Sequence, residues 1–152
     1  MDRRSMALDF SGIRTLSATE RVNLVRIDNL KRPRIYEPRP WGGADFDELV
    51  RRIQMAKGEG REIILSMGAH VIKCGLSPYL IELMRGGWIT HIAGNGASSI
   101  HDFELAYLGG TSEDVPTAIE DGTFGMWEET GRWMNEAIQN GAAGGLGYGE
   151  AL

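Results

Sequence analysis

The stretch Ile63–Leu108 runs twice through one pattern: an apolar strand, a loop of glycine and polar side chains, then a helix. The first pass is IILSMGAHVIKCGLSPYLIELMRGG and the second is WITHIAGNGASSIHDFELAYLGG. Two strands separated by a segment long enough for a helical crossover pair in parallel. The pattern therefore predicts an α/β fold, a Rossmann-like parallel sheet with flanking helices. Both loops then leave the carboxyl ends of their strands, the edge where such sheets take ligands. Loop amides and helix N-termini at that edge can hold phosphate or carboxylate groups. Two or three strands are few beside the usual four to six or so, so an incomplete half domain is expected, holding half of a site.

The first loop, Gly68-Ala69-His70-Val71-Ile72-Lys73, offers a glycine for close backbone approach and His70 and Lys73 for a phosphate or ribose. The plainer reading is a turn with two solvated side chains. The second loop, Gly94-Asn95-Gly96-Ala97-Ser98-Ser99, sets small residues, a carboxamide and hydroxyls at a helix start. That arrangement suits an anion, but an Asn-Gly turn with a Ser cap is common as well. Asp102 opens the following helix. An acid there usually only complements the helix dipole, although beside a nucleotide loop it can also bind ribose hydroxyls. Neither loop is a G-x-G-x-x-G fingerprint or a Walker A loop. No catalytic residue is assigned.

Other chemistry is thin. His91 reads as a satisfied core histidine within a strand. Three scattered histidines and one cysteine lack metal-ligand spacing, so no metal is expected. Cys74 has no base partner and reads as a small buried residue, and a hydrolase using Cys74 or His70 would lack a triad. Lys31, Lys57 and Lys73 are the only lysines, and only Lys73 lies in a motif. A single cysteine excludes an internal disulfide and favours a reducing compartment. The start MDRRSMALDF has no apolar signal core, and no apolar run reaches spanning length. A cytoplasmic protein with no membrane partner is expected.

Charge is unevenly spread. Residues 1–40 carry nine Lys/Arg against five Asp/Glu, whereas residues 99–152 carry one Arg against ten. An acidic last third argues against nucleic acid as a partner. It permits a cationic ligand, or a basic arm docking on a neighbouring subunit. The plainer reading is solvated helix faces.

Along the chain, residues 1–43 read as an N-terminal arm and connector: a poorly ordered start, a strand or arm at Val22–Ile27, and Pro33, Pro38 and Pro40. Residues 44–140 read as the nucleotide-binding α/β domain. Asp45 is expected to cap a helix striped by Phe46, Leu49, Val50, Ile53 and Ala56. Glu62–Met67 and Trp88–Ala93 are the strands, the first of them buried. Ser77 with Pro78 starts the helix between them, and Ser98 or Ser99 caps the next, striped by Ile100, Phe103, Tyr107 and Leu108. Thr111–Asp121 reads as a short helix. Thr123–Asn140 reads as a longer one with a seam of Phe124, Trp127, Gly131, Met134 and Ile138, and with Trp133 off the seam. Residues 141–152, rich in glycine, read as a tail or truncated linker.

The run ILSMGAHVIKCGLSPYLIELMRGGWITHIAGNGASSIHDFELAYLGG resembles the N-terminal half of deoxyhypusine synthase and its uncharacterised bacterial relatives. Gly68–Lys73 stand at the family's first polar loop, Gly94–Ala97 at its second, and Asp102 near its acidic helix start. The resemblance implies an NAD-binding α/β fold and a homo-oligomer, possibly a tetramer, with sites between subunits. It implies an NAD-dependent transferase that draws on a polyamine. The second loop here is Gly-Asn-Gly-Ala where the family carries Thr-Ala-Gly-Gly. The family's imine-forming lysine belongs to its C-terminal half, and Lys73 does not occupy that position. The resemblance thus carries NAD binding further than aminobutyl transfer. A truncated or split NAD-binding half is expected, the alternative being a non-catalytic nucleotide-binding or oligomerisation module.

Overall fold

The computed structural model describes residues 9–33 and 42–152. The expected connector, with Pro38 and Pro40, and most of the expected poorly ordered start lie outside the described residues. The fold is mixed α/β and mainly helical. It divides into two compact units. One is the continuous stretch Asn23–Ser112; the other joins the N-terminal stretch up to Val22 to Glu113–Leu152.

In the continuous unit, strand β1 (Asn23–Arg26) leads to helix α1 (Ala44–Gly58). Strand β2 (Ile64–Ser66), the short helix α2 (His70–Lys73) and helix α3 (Ser77–Arg85) follow. Strand β3 (His91–Ala93), helix α4 (Gly96–Leu108) and strand β4 (Gly110–Glu113), all but its last residue, complete it. The expected strands pair in parallel, with Ile64 opposite His91, Leu65 opposite Ile92 and Ser66 opposite Ala93. β1 pairs with β4 as a second two-stranded sheet and does not extend the first. Two strands cannot cover themselves, so β2 is not buried as expected: Ile64 is 63% exposed. His91 is exposed as well, not held in a core. Cys74, expected to be buried, caps the C-terminus of α2 and is exposed.

Three helix starts differ from the expected ones. Gly43 precedes α1, so Asp45 lies in the first turn and does not cap it. Leu76 precedes α3, whose first residue is Ser77. Asn95, not Ser98 or Ser99, caps α4. The buried face of α4 is also turned from its expected stripe: Ser98, Glu104 and Leu105 are buried, while Ile100 and Tyr107 are exposed. Gly109 ends the helix at φ 65°, a left-handed step that a side chain would resist. The chain then returns as β4. Thr111–Glu113 are therefore strand and not helix.

In the discontinuous unit, a single 3-10 turn (Ala18–Glu20) accompanies helices α5 (Val115–Asp121), α6 (Glu128–Ala143) and α7 (Tyr148–Ala151). α6 starts five residues later than expected. Asp121 accepts hydrogen bonds from the Thr123 amide and hydroxyl, and Gly125 takes φ 72°, so residues 121–125 form a turn. Of the expected seam, Trp127 and Met134 are buried and Phe124 is exposed. In place of a frayed tail, α6 runs on to Ala143 and packs against α7. A Cβ on Gly141 would collide with Ala151, so the close approach requires glycine there. Among the described residues, no helix is long and apolar enough to cross a membrane.

Candidate functional site

The parallel register sends both polar loops off one edge. The ladder ends with the Met67 amide donating to the Ala93 carbonyl at 2.9 Å, and Gly68 and Gly94 follow directly. Gly68 is exposed, and no atom stands within 4 Å of where its Cβ would lie. Ala69 precedes α2, His70 is exposed on it, and Lys73 closes it half-buried. Buried Ile72 anchors this turn, and α2 packs against α4. The first loop therefore lies beside the helix that the second loop opens.

Asn95 organises the second loop. Its Oδ1 accepts from the Ser98 amide at 3.1 Å and from the Ser98 hydroxyl at 3.3 Å. Ser98 is thereby turned inward and buried, away from the ligand contact expected of it. Gly94, Gly96, Ala97 and Asp102 are exposed. The first amides of a helix have no helical carbonyl to bond, so those of Gly96 and Ala97 are the donors this loop offers an anion. His70 and Lys73 add side-chain donors from the first loop. The edge thus brings together Gly68, Ala69, His70, Lys73, Gly94, Asn95, Gly96 and Ala97; Asp102, expected at the helix start, lies beyond the first turn of α4, which begins at Gly96.

A buried polar chain behind this edge escaped the sequence reading. Glu104 is 2% exposed and accepts from the hydroxyl of fully buried Thr111 at 2.5 Å. The Thr111 oxygen lies 2.6 Å from His101 Nδ1. Since Thr111 gives its proton to the carboxylate, its oxygen accepts from His101 Nδ1–H. Ser112 follows at φ 62°, the one positive φ outside glycine among the described residues, and such strain tends to collect near functional sites. The available signal was the Gly109-Gly110 turn, which folds Thr111 back onto the helix carrying Glu104.

The discontinuous unit holds a separate cavity of about 240 Å³. Glu20, Glu113, Asp114 and Asp121 line it, with Arg21 and Trp127. The Trp127 indole donates to Glu113 at 2.7 Å, and the Arg21 guanidinium lies 5.7 Å from the Trp127 ring centroid. The Thr123 hydroxyl and amide hold the Asp121 carboxyl below its ordinary range. Four carboxylates against one guanidinium suit a cation. Next to it, the N-terminal segment is clamped onto the first turn of α6. Thr15 donates to Glu128 at 2.5 Å, and the Ala18 amide and Ser17 hydroxyl donate to Glu129 at 2.6 and 2.8 Å. Those two donors, the Ala18 amide foremost, hold the Glu129 carboxyl below its ordinary range.

Among the described residues, no group of three or more His, Cys, Asp or Glu side chains is placed to hold a metal ion. No protein-family model matches the chain, and no curated protein or solved structure matches it.

Proposed function

We propose that the β2–β3 edge binds NAD or a related adenine nucleotide, in a protein of the deoxyhypusine synthase type. The observation that carries this reading is the parallel register, because it sets Gly68–Lys73 and Gly94–Ser99 side by side. The residues present fit such a group. Gly68 leaves open space where a phosphate can approach the backbone. The Gly96 and Ala97 amides and the positive end of α4 suit a pyrophosphate. His70 and Lys73 supply donors from the other side, and Asp102 can accept from a ribose hydroxyl. NAD, when bound, accepts a hydride; this chain's residues bind and orient it. Transfer of an aminobutyl group is not assigned to any residue here, since Lys73 belongs to the nucleotide loop.

Calorimetry with NAD and NADH on the full chain tests the proposal. Gly68 does not take a positive φ, and its added Cβ would meet nothing. Gly68→Val therefore keeps the fold and fills the approach path. The expected result is measurable heat at millimolar nucleotide for the natural chain and at least a tenfold weaker interaction for Gly68→Val. Equal binding by the two places the ligand elsewhere, and no heat with the natural chain refutes the nucleotide reading.

The acidic cavity favours a second reading, that the polyamine implied by the resemblance is held in the discontinuous unit. Its four carboxylates match an amine cation, and Trp127 gives an apolar wall for the methylene chain. Spermidine titrated against the natural chain and against Asp114→Asn checks this. Retained affinity in the variant counts against the cavity.

A further inference from the structure

We propose that Asn95 is a site of intramolecular modification: the amide of Gly96 displaces ammonia from the Asn95 carboxamide, and water opens the resulting imide to aspartate or isoaspartate. Asparagine followed by glycine is the pair most open to this reaction, because glycine has no side chain to hinder the approach of its own nitrogen. The chain contains two such pairs, Asn95-Gly96 and Asn140-Gly141. Sequence alone makes them equivalent, and the fold separates them.

Asn95 is exposed and stands just outside α4, with an extended backbone at φ −130° and ψ 172°. Gly96, also exposed, is the first residue of the helix. Its amide has no helical carbonyl to give up. The positive end of α4 favours the charge that this nitrogen gains on losing its proton. Asn95 Oδ1 already accepts from the Ser98 amide at 3.1 Å and from the Ser98 hydroxyl at 3.3 Å. Donors held where charge develops stabilise the transition state, and these two face the oxygen that turns negative as nitrogen adds to Cγ. The other pair is built in the opposite way. Gly141 is buried inside α6, where a helical amide is tied to the carbonyl four residues before it. It also packs so closely on Ala151 that a Cβ there would collide. Ring closure at Asn140 would pull Gly141 out of both the helix and that contact.

In the first step the bond from the Gly96 nitrogen to Asn95 Cγ forms and the Cγ–Nδ2 bond breaks. Ammonia leaves with the proton that Gly96 gave up. Water then adds across one of the two ring C–N bonds. Opening at Cγ restores the normal backbone with an aspartate side chain. Opening at the main-chain carbonyl carries the chain through Cβ and Cγ and lengthens it by a methylene. Aspartate caps a helix as well as asparagine does, so α4 survives the first product. Either product sets a carboxylate beside the Gly96 and Ala97 amides. On the nucleotide reading of this edge, that charge repels a pyrophosphate, and the modification switches binding off irreversibly. The switch rests on that reading; the modification does not.

Peptide mapping by mass spectrometry of the full chain, held in mildly alkaline buffer, is the test. Tryptic cleavage after Arg85 and Arg132 gives a peptide whose one carboxamide side chain is Asn95. It should convert to the acid at least tenfold faster than Asn140 does, with isoaspartate among the products. Unfolding the chain in urea should bring the two rates together. Gly96 takes no positive φ, so Gly96→Ala should keep the fold and slow conversion at Asn95 at least tenfold. An Asn95 that converts no faster than Asn140 in the folded chain overturns the proposal, as does conversion indifferent to Gly96→Ala. Calorimetry of Asn95→Asp tests the switch: NAD should bind at least tenfold more weakly than to the natural chain. Equal binding by the two overturns the switch and leaves the nucleotide reading standing. No binding by the natural chain refutes that reading and the switch together, while the modification is still decided by mass.

Discussion

The two units fix their carboxylates in opposite ways. In Asn23–Ser112, Glu104 is withdrawn from water and bonded to a fully buried threonine. In the discontinuous unit, Glu128 and Glu129 stay near the surface and gather donors from a segment more than a hundred residues away. The first arrangement is local in sequence, made by one helix and the strand that turns back from it. The second is long-range and depends on the acids remaining ionised. The continuous unit should therefore be sensitive to the loss of one hydroxyl, and the other to loss of its tryptophan and to acid.

Trp127→Ala should have the largest effect. Trp127 is 8% exposed, forms a wall of the cavity and donates to Glu113. Its removal should destabilise the discontinuous unit by about 3–5 kcal/mol, read by urea unfolding. Segment-resolved hydrogen exchange should show the loss in α5 and α6. Equal loss of protection in α4 would mean that the units are not energetically distinct.

Thr111→Val keeps shape and removes the hydroxyl between Glu104 and His101. A buried group left without its partner costs about 1–3 kcal/mol, more when charged, so roughly 3 kcal/mol is expected. Exchange should rise in α4 and β4 first. A neutral result would show that water or another group replaces the hydroxyl at no cost.

These two residues also mark how far the sequence could be read. The parallel pair, the two loops and the helix between the strands were legible, because glycine pairs and apolar runs are local signals. The burial of Glu104 was not, since a lone acid within a helix reads as a solvated side chain. Asn95 and the two serines are all good caps, and only the geometry chose Asn95. The clamp of Thr15–Ala18 on α6 has no local signature at all. Nor could periodicity show that α1 has no fully buried residue, since the same spacing describes a buried helix.

A smaller, graded effect should come from acid. The Glu129 carboxyl lies below its ordinary 4.5 in the folded chain, chiefly through the Ala18 amide. A depressed carboxyl favours folding when ionised, so its contribution is present above 4.5 and is lost as pH falls through the lower folded value. Exchange of the Ala18 amide, corrected for intrinsic rate, should rise over that interval. Glu129→Gln should abolish the pH step. A step that survives in the variant would assign the acid sensitivity to another group.

The central proposal is that the parallel β2–β3 edge binds the nucleotide. Titration of NAD into isotope-labelled full-length protein, followed by amide chemical shifts, tests it most directly. Binding at this edge should give saturable shifts at Gly68, Ala69, Gly96 and Ala97, with residues lining the acidic cavity unmoved. Shifts confined to that cavity, or none at saturating nucleotide, would contradict it.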